Sequence, residues 1–167
     1  MKTQVIRFRD AKESHYEFMD EVLVECPRCK RCAVNRQLDP DERPGWFAPR
    51  RLTCTHCGYS KGWHKRSIQR HSTHSPIDDY FELPLWLQET CGGRALWAYN
   101  ERHLNVIRSY VAADLRERIP DQETGWSNRA LTSRLPRWMK EARRRDDILR
   151  ALDRMAARLP ASVSARR

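Results

Sequence analysis

Cys26-Pro27-Arg28-Cys29-Lys30 and Cys54-Thr55-His56-Cys57-Gly58-Tyr59 are the two stretches whose reading decides the fold. Each holds a CxxC pair, a turn tight enough for two thiolates to reach one ion. Four soft ligands supplied by two such turns match a tetrahedral structural zinc site. Cys26, Cys29, Cys54 and Cys57 are therefore expected to hold one structural Zn2+. Pro27 suits the first knuckle, and Gly58 suits the turn after the second. Cys29-Lys30-Arg31-Cys32 offers an alternative register; in the first register Cys32 falls on the next strand as a small buried thiol. His56 reads as exposed rather than as a ligand. No βαβ pattern surrounds either pair, which argues against redox chemistry.

Working outward, Glu21-Val22-Leu23-Val24-Glu25 is a β-type run into the first knuckle, and Ala33–Arg36 can return as its hairpin partner. The turn-rich stretch 37–45 reads as a loop. Trp46 to Thr53 and Tyr59 to Arg66 read as the strands on either side of the second knuckle. This predicts a zinc ribbon over 21–66, after an N-terminal segment 1–20 and before a polar linker 67–79. Residues 80–119 read as a β-plus-helix unit. Pro84 marks an edge or irregular segment, Gly92-Gly93 a turn, and Ala95–Tyr99 a strand. Asn100 is placed to cap a helix on which Leu104, Ile107, Val111 and Leu115 recur at spacings of three and four. A loop and short helix over 120–135 then lead to a basic amphipathic helix over 136–160, with Pro136 at its first position and Trp138, Ala142, Leu149, Leu152, Ala156 and Leu159 along one stripe. The tail 161–167 is expected to be disordered. The fold class is α+β: a small β zinc ribbon, a short β segment, and two or three α-helices.

The chain of 167 residues carries a net charge of +10, unevenly distributed. Residues 26–75 hold eleven basic and three acidic residues, and residues 126–167 hold twelve and four; the stretches 1–25 and 76–125 are acidic. Four thiolates on one Zn2+ add −2, which leaves the ribbon segment basic. Such segments suit a polyanion, because each phosphate neutralised releases a counterion. No apolar run is long enough to span a membrane, and the N-terminal ten residues lack the apolar stretch of a secretory signal. With six cysteines arranged for metal rather than disulfides, a reducing cytoplasm is expected.

The ribbon carries Arg50, Arg51, Lys61, Lys65 and Arg66 interleaved with Trp46, Phe47, Tyr59 and Trp63, the cations and flat rings that single-strand binding uses. Trp46, Phe47 and Trp63 could equally fill the ribbon's small core. Arg137, Lys140, Arg143, Arg144 and Arg145 form a second basic cluster, in which Glu141 can pair Arg145 and Asp147 can pair Arg143. These residues are expected to meet nucleic acid, DNA or RNA. A protein-interaction adaptor is the alternative, resting on Phe81, Leu83, Leu85, Trp86 and Trp97 if they form an exposed patch. No phosphate-cradling glycine loop, nucleophile elbow or HExxH is present. Acidic pairs such as Asp78-Asp79 read as solvated, so neither an enzyme nor a small-molecule substrate is expected. His71, His74, Cys91 and His103 read as non-ligands.

On CPRC at 26–29, CTHCGY at 54–59, LPLWL at 83–87, LWAYNERHL at 96–104 and SRLPRWMKEA at 133–142, the chain resembles a poorly characterised bacterial zinc-ribbon family. The ribbon is similar to those of transcription factor IIB-type proteins. That resemblance implies the ribbon fold and no catalytic residues; such ribbons bind DNA, RNA and proteins alike.

Overall fold

The computed structural model describes residues 5–38, 47–64, 75–117 and 130–160. The strands are β1 (Arg7–Arg9), β2 (Glu21–Glu25), β3 (Cys32–Gln37), β4 (Arg50–Thr53), β5 (Ser60–Trp63), β6 (Leu87–Cys91), β7 (Arg94–Ala98) and β8 (Leu115–Glu117). The α-helices are α1 (Glu101–Ala112), α2 (Leu131–Arg134) and α3 (Arg145–Ala156), with 3-10 turns at His15–Phe18, Arg137–Lys140 and Ala142–Arg144. The class is α+β, a small ribbon followed by helices. Among the described residues no helix is long and apolar enough to cross a membrane.

The order β2-β3-β4-β5 makes an antiparallel four-stranded sheet, and β6 and β7 form a hairpin through Gly92-Gly93. An unbroken apolar run predicts a strand buried on both faces, and β2 is one. Val22 and Val24 enter a core with Phe18, Leu52, Trp63 and Leu85. Leu23, between them, enters a second core with Leu87, Leu96, Leu104, Ile107, Ile148 and Leu152. The outer edge of β2 is satisfied by the β6–β7 unit: Leu23 N–H donates to Tyr99 O at 2.7 Å, Trp86 N–H to Leu23 O at 2.9 Å, and Glu25 N–H to Pro84 O at 2.8 Å. Backbone hydrogen bonds thus join ribbon and helical unit along one strand.

Asn100 ties the same corner. Its Oδ1 caps α1 by accepting His103 N–H at 2.9 Å, and its Nδ2 donates to Phe18 O and Glu21 O at 2.8 and 2.7 Å. The helix ends sooner than its periodicity predicts, at Ala112. Leu115 is not on its stripe but begins β8, is 42 % exposed, and pairs parallel with β1 in the segment 1–20 that showed no sequence signal. Arg145 holds the chain just past the helix end, where Ala113 is extended: its Nη1 donates to Asp114 at 2.7 Å and its Nη2 to Ala113 O at 2.9 Å.

The long helix expected from Pro136 is replaced by two 3-10 turns, with extended backbone at Glu141 (φ −78°, ψ 122°), and α3 begins only at Arg145. The reason is phase. Met139 and Ile148 are both buried, yet nine residues of straight α-helix would place them about 180° apart. The break lets Leu135 and Met139 pack in one phase and Ile148, Ala151, Leu152 and Met155 in another.

The strand expected from Trp46 begins at Arg50, and the one expected over Tyr59–Arg66 spans Ser60–Trp63. Trp46, the bulk of the loop 37–45, the stretch 65–74 and the tail 161–167 lie outside the described residues. Phe47 is 61 % exposed and fills no core, whereas Trp63 is buried edge-on against Tyr80 at 4.9 Å.

Residues 75–79 serve as more than a linker. Asp78 is buried, not solvated, accepting from Asn35 Nδ2 at 2.9 Å and Phe81 N–H at 2.7 Å. Asn35, itself buried on β3, accepts from Arg50 Nε at 2.8 Å. Arg50 also donates to Met19 O at 2.5 Å and lies 4.3 Å over the Tyr80 ring. Arg50, Asn35 and Asp78 form a buried polar chain pinning the 19–20 turn and the 78–83 turn to the sheet. Removing one end strands the other charge, so Arg50→Ala should cost about 3–5 kcal/mol in urea unfolding. Burial raises Asp78 to about 6, against the opposing pull of the Phe81 N–H, Arg50 and Asn35. The folded chain therefore takes up this proton before the unfolded chain does. Its ionisation costs stability above about pH 6, and that cost fades as the pH falls towards the unfolded value. Between about pH 7.5 and about pH 5.5 the stability difference between wild type and Asp78→Asn should move in the wild type's favour.

Candidate metal centre

Two knuckles of the same backbone form close one end of the ribbon. In the first, Cys26 N–H donates to Arg31 O at 2.8 Å and Lys30 N–H to Cys26 O at 3.0 Å; in the second, Cys54 N–H donates to Tyr59 O at 2.8 Å and Gly58 N–H to Cys54 O at 2.9 Å. The residue after the second cysteine of each is left-handed: Lys30 at φ 62° and Gly58 at φ 72°. Glycine enters that region freely and lysine does not, so the two knuckles share a shape that only one has the ideal residue for.

The knuckles bring Cys26, Cys29, Cys54 and Cys57 together, with all four sulfurs within 4.8 Å of one another. Cys26 Sγ lies 3.7 Å from Cys57 Sγ, and Cys29 Sγ 3.6 Å from Cys54 Sγ. These separations are far too long for disulfides. They match the edge of about 3.8 Å that a tetrahedron of sulfurs has around an ion with bonds of about 2.3 Å. The four thiols also cannot ionise independently. Burial opposes ionisation of Cys26, but backbone hydrogen bonds from Cys29 and Arg28 and the neighbouring thiols outweigh it and bring its pKa to about 7. Cys29 goes the other way, to about 12: a backbone hydrogen bond from Arg31 favours its thiolate, while burial and the other three thiols oppose it. A cation removes that conflict, and the cluster can hold a metal ion.

Cys32 stands outside the cluster, on β3, with its thiol directed to Ala33 O at 3.9 Å; its carbonyl accepts from Cys54 Sγ at 3.8 Å. The alternative register is therefore not the one folded. His56 is exposed, its Nδ1 3.4 Å from Arg31 Nη1.

The residues expected to meet nucleic acid divide sharply. Arg51 and Lys61 are exposed on β4 and β5. Arg50 and Trp63 are buried and cannot reach a phosphate or a base on the surface: they are corrected to structural roles. Lys65 and Arg66 lie outside the described residues. In the second cluster Arg137 is exposed, Lys140 Nζ donates to Ser133 O at 3.0 Å, and Arg145 is held at the end of α1. Glu141 pairs not with Arg145 but with Arg143 and Arg144, at 3.0 and 3.2 Å, and Asp147 pairs with Arg150 rather than Arg143. His103 reads from the sequence only as a non-ligand. It is 2 % exposed and lines a cavity with Trp97 and Trp138. The Asn100 cap predicts an inward-facing position three residues on, but the cavity is built by separate segments and leaves no local signal.

No family model, curated protein or solved structure matches the chain, and the thiol geometry carries the metal assignment alone. Serine at Cys26, Cys29, Cys54 or Cys57 should abolish stoichiometric metal binding, whereas Cys32→Ser and Cys91→Ser should retain one metal per chain by elemental analysis. A Cβ at Gly58 meets no atom within 4 Å. Gly58→Ala should therefore cost only the backbone term of about 1 kcal/mol, and Lys30→Gly should cost nothing or stabilise slightly, as thermal melts of the metal-loaded chain would show.

Proposed function

We propose that the chain is a non-enzymatic zinc-ribbon protein that binds nucleic acid through exposed cations on the ribbon and the C-terminal basic segment. An all-thiolate tetrahedral donor set favours Zn2+. Four protein ligands leave no open position for water or substrate, so the ion is a staple rather than a Lewis acid. Two knuckles at one end of an antiparallel sheet support the resemblance to the bacterial zinc-ribbon family. The six cysteines are all free, which fits a reducing compartment such as the cytoplasm.

The observation that carries the nucleic-acid reading is that Arg28, Arg51, Lys61 and Arg137 are exposed, with no acidic partner among the described residues, on the two segments that hold most of the positive charge. Arg51 has Gly62 beside it on β5 and Arg36 beside it on β3, the latter paired with Glu21 at 3.1 Å from its Nε. Arg143, 77 % exposed, and Arg150, 68 % exposed, extend the basic C-terminal face despite their acidic partners.

The adaptor reading finds a different surface from the one expected. Leu85 is buried, and Phe81, Leu83, Trp86 and Trp97 pack half-buried against the two cores. Of the exposed apolar residues Val5, Ile6, Leu38, Phe47 and Leu115, Ile6 and Leu115 lie together beside the β1–β8 pair, where Leu115 N–H donates to Ile6 O at 3.2 Å. Fluorescence anisotropy with single- and double-stranded DNA and RNA at two salt concentrations separates the readings. Affinity should fall steeply with salt, and Arg51→Ala with Lys61→Ala should reduce the slope of log K against log salt by about 2. Absence of binding at low salt would overturn the nucleic-acid reading and leave the adaptor.

A further inference from the structure

Between the β6–β7 hairpin, α1 and the segment 131–139 lies a cavity of about 500 Å3, in the size range of small-molecule sites. Its walls are largely apolar and aromatic, among them Trp97, Tyr99, Ile107, Leu135, Trp138 and Met139. Four polar residues interrupt them, His15, Arg94, His103 and Arg134, and the buried Nδ1 of His15 has no hydrogen-bond partner. His103 lines the cavity, and its Nδ1 accepts Tyr99 N–H at 3.2 Å. An accepting Nδ1 puts the proton of the neutral ring on Nε2. That Nε2 is buried with no hydrogen-bond partner. Rings surround the imidazole, with Phe18 stacked at 5.1 Å, Tyr99 tilted at 5.2 Å and Trp97 edge-to-face at 5.8 Å, and none of them is a hydrogen-bond partner of Nε2. A buried donor left unmet is costly, and this one belongs to a residue of the cavity wall. Arg94 and Arg134, both exposed, also line the cavity, and the Arg94 guanidinium lies 5.9 Å from the centroid of the Trp138 ring.

These features describe one ligand chemistry: a flat ring with an acceptor edge, joined to an anion. We propose that the cavity takes a phosphate-bearing nucleobase, with the base against the indoles and an acceptor atom on His103 Nε2–H, and with Arg94 and Arg134 on the phosphate. Every base has a π-face for an indole and an acceptor atom on its edge, and a guanidinium forks onto phosphate oxygens. A free mononucleotide and a nucleotide within a single strand present the same chemistry. The pocket does not rest on the ribbon's binding of nucleic acid, since a mononucleotide needs none of the ribbon's cations.

Isothermal titration calorimetry on the full, metal-loaded chain tests this with AMP, GMP, CMP and UMP, the matching nucleosides, and inorganic phosphate. At least one mononucleotide should bind one per chain, with its nucleoside and free phosphate each roughly tenfold weaker or more. Arg94→Ala with Arg134→Ala changes exposed side chains only. It should reduce mononucleotide affinity to that of the nucleoside while leaving nucleoside affinity unchanged, which a folding defect would not do. Trp138→Ala should weaken both. A tetranucleotide that displaces the bound mononucleotide assigns the pocket to a strand, and one that binds without displacing it assigns the pocket to free nucleotide. No heat from any mononucleotide at about 1 mM, or binding indifferent to the double arginine change, would overturn the proposal. Loss of oligonucleotide binding on Arg51→Ala with Lys61→Ala, with mononucleotide binding intact, would keep the two surfaces distinct.

Discussion

Strands of four to six residues bury too little apolar surface to hold a four-stranded sheet in place unaided, and the four-thiol cluster supplies the missing constraint. Cys26 and Cys29 close the β2–β3 hairpin, and Cys54 and Cys57 close the β4–β5 hairpin. A metal ion held across them would fix the ends of all four strands at once. The consequence reaches beyond the ribbon, because β2 is a shared wall. Its side chains alternate between the two cores, and its outer edge bonds to Trp86, Tyr99 and Pro84. The helical unit is thus built on a strand that ends at the four-thiol cluster, whose position an ion held there would set.

The positive charge of the chain is spent partly inward. Arg50 holds the carbonyl of Met19, Arg116 those of Tyr110 and Lys140, Arg145 that of Ala113, Arg102 that of Glu17, and Arg158 that of Gln88. Apart from Gln88, which lies on the two-stranded β6–β7 hairpin, each carbonyl belongs to a turn, a helix end or an irregular junction. Arginine suits this work because its planar fork keeps several donors in fixed directions and cannot lose its charge. A fold with short elements and many junctions needs such donors, so net charge overstates the cation left for an external polyanion. Exposed cations such as Arg28, Arg51, Lys61 and Arg137 remain where an external anion can still be met.

The metal cluster was legible because paired CxxC spacing is local chemistry: the ligands follow from the turn that presents them. The α1 cap at Asn100 was legible for the same reason, whereas Val22-Leu23-Val24 read only as a β-type run, because its second core comes from residues far along the chain. Non-local pairing was not. Nothing in Arg7-Phe8-Arg9 announces a parallel partner in Leu115-Arg116-Glu117, more than a hundred residues away. Arg50 read as a surface cation because Asn35 and Asp78, which keep it inside, are far off in sequence. The break at Glu141 lay closer to hand: apolar residues at 139 and 148 are out of phase for one helix, a conflict that a single stripe through Trp138 and Leu149 concealed.

Hydrogen exchange on the metal-loaded and chelated chain tests most directly the claim that one ion at the ribbon's end supports both cores. Cys26 N–H, bonded to Arg31 O, reports the knuckle, and Leu104 N–H, bonded to Asn100 O, reports the start of α1. With β2 shared between the cores, chelation should abolish protection at both amides together. Full protection persisting at Leu104 after Cys26 has become exchangeable would contradict the account, and would make the helical unit a separate body that merely adjoins a metal-dependent ribbon.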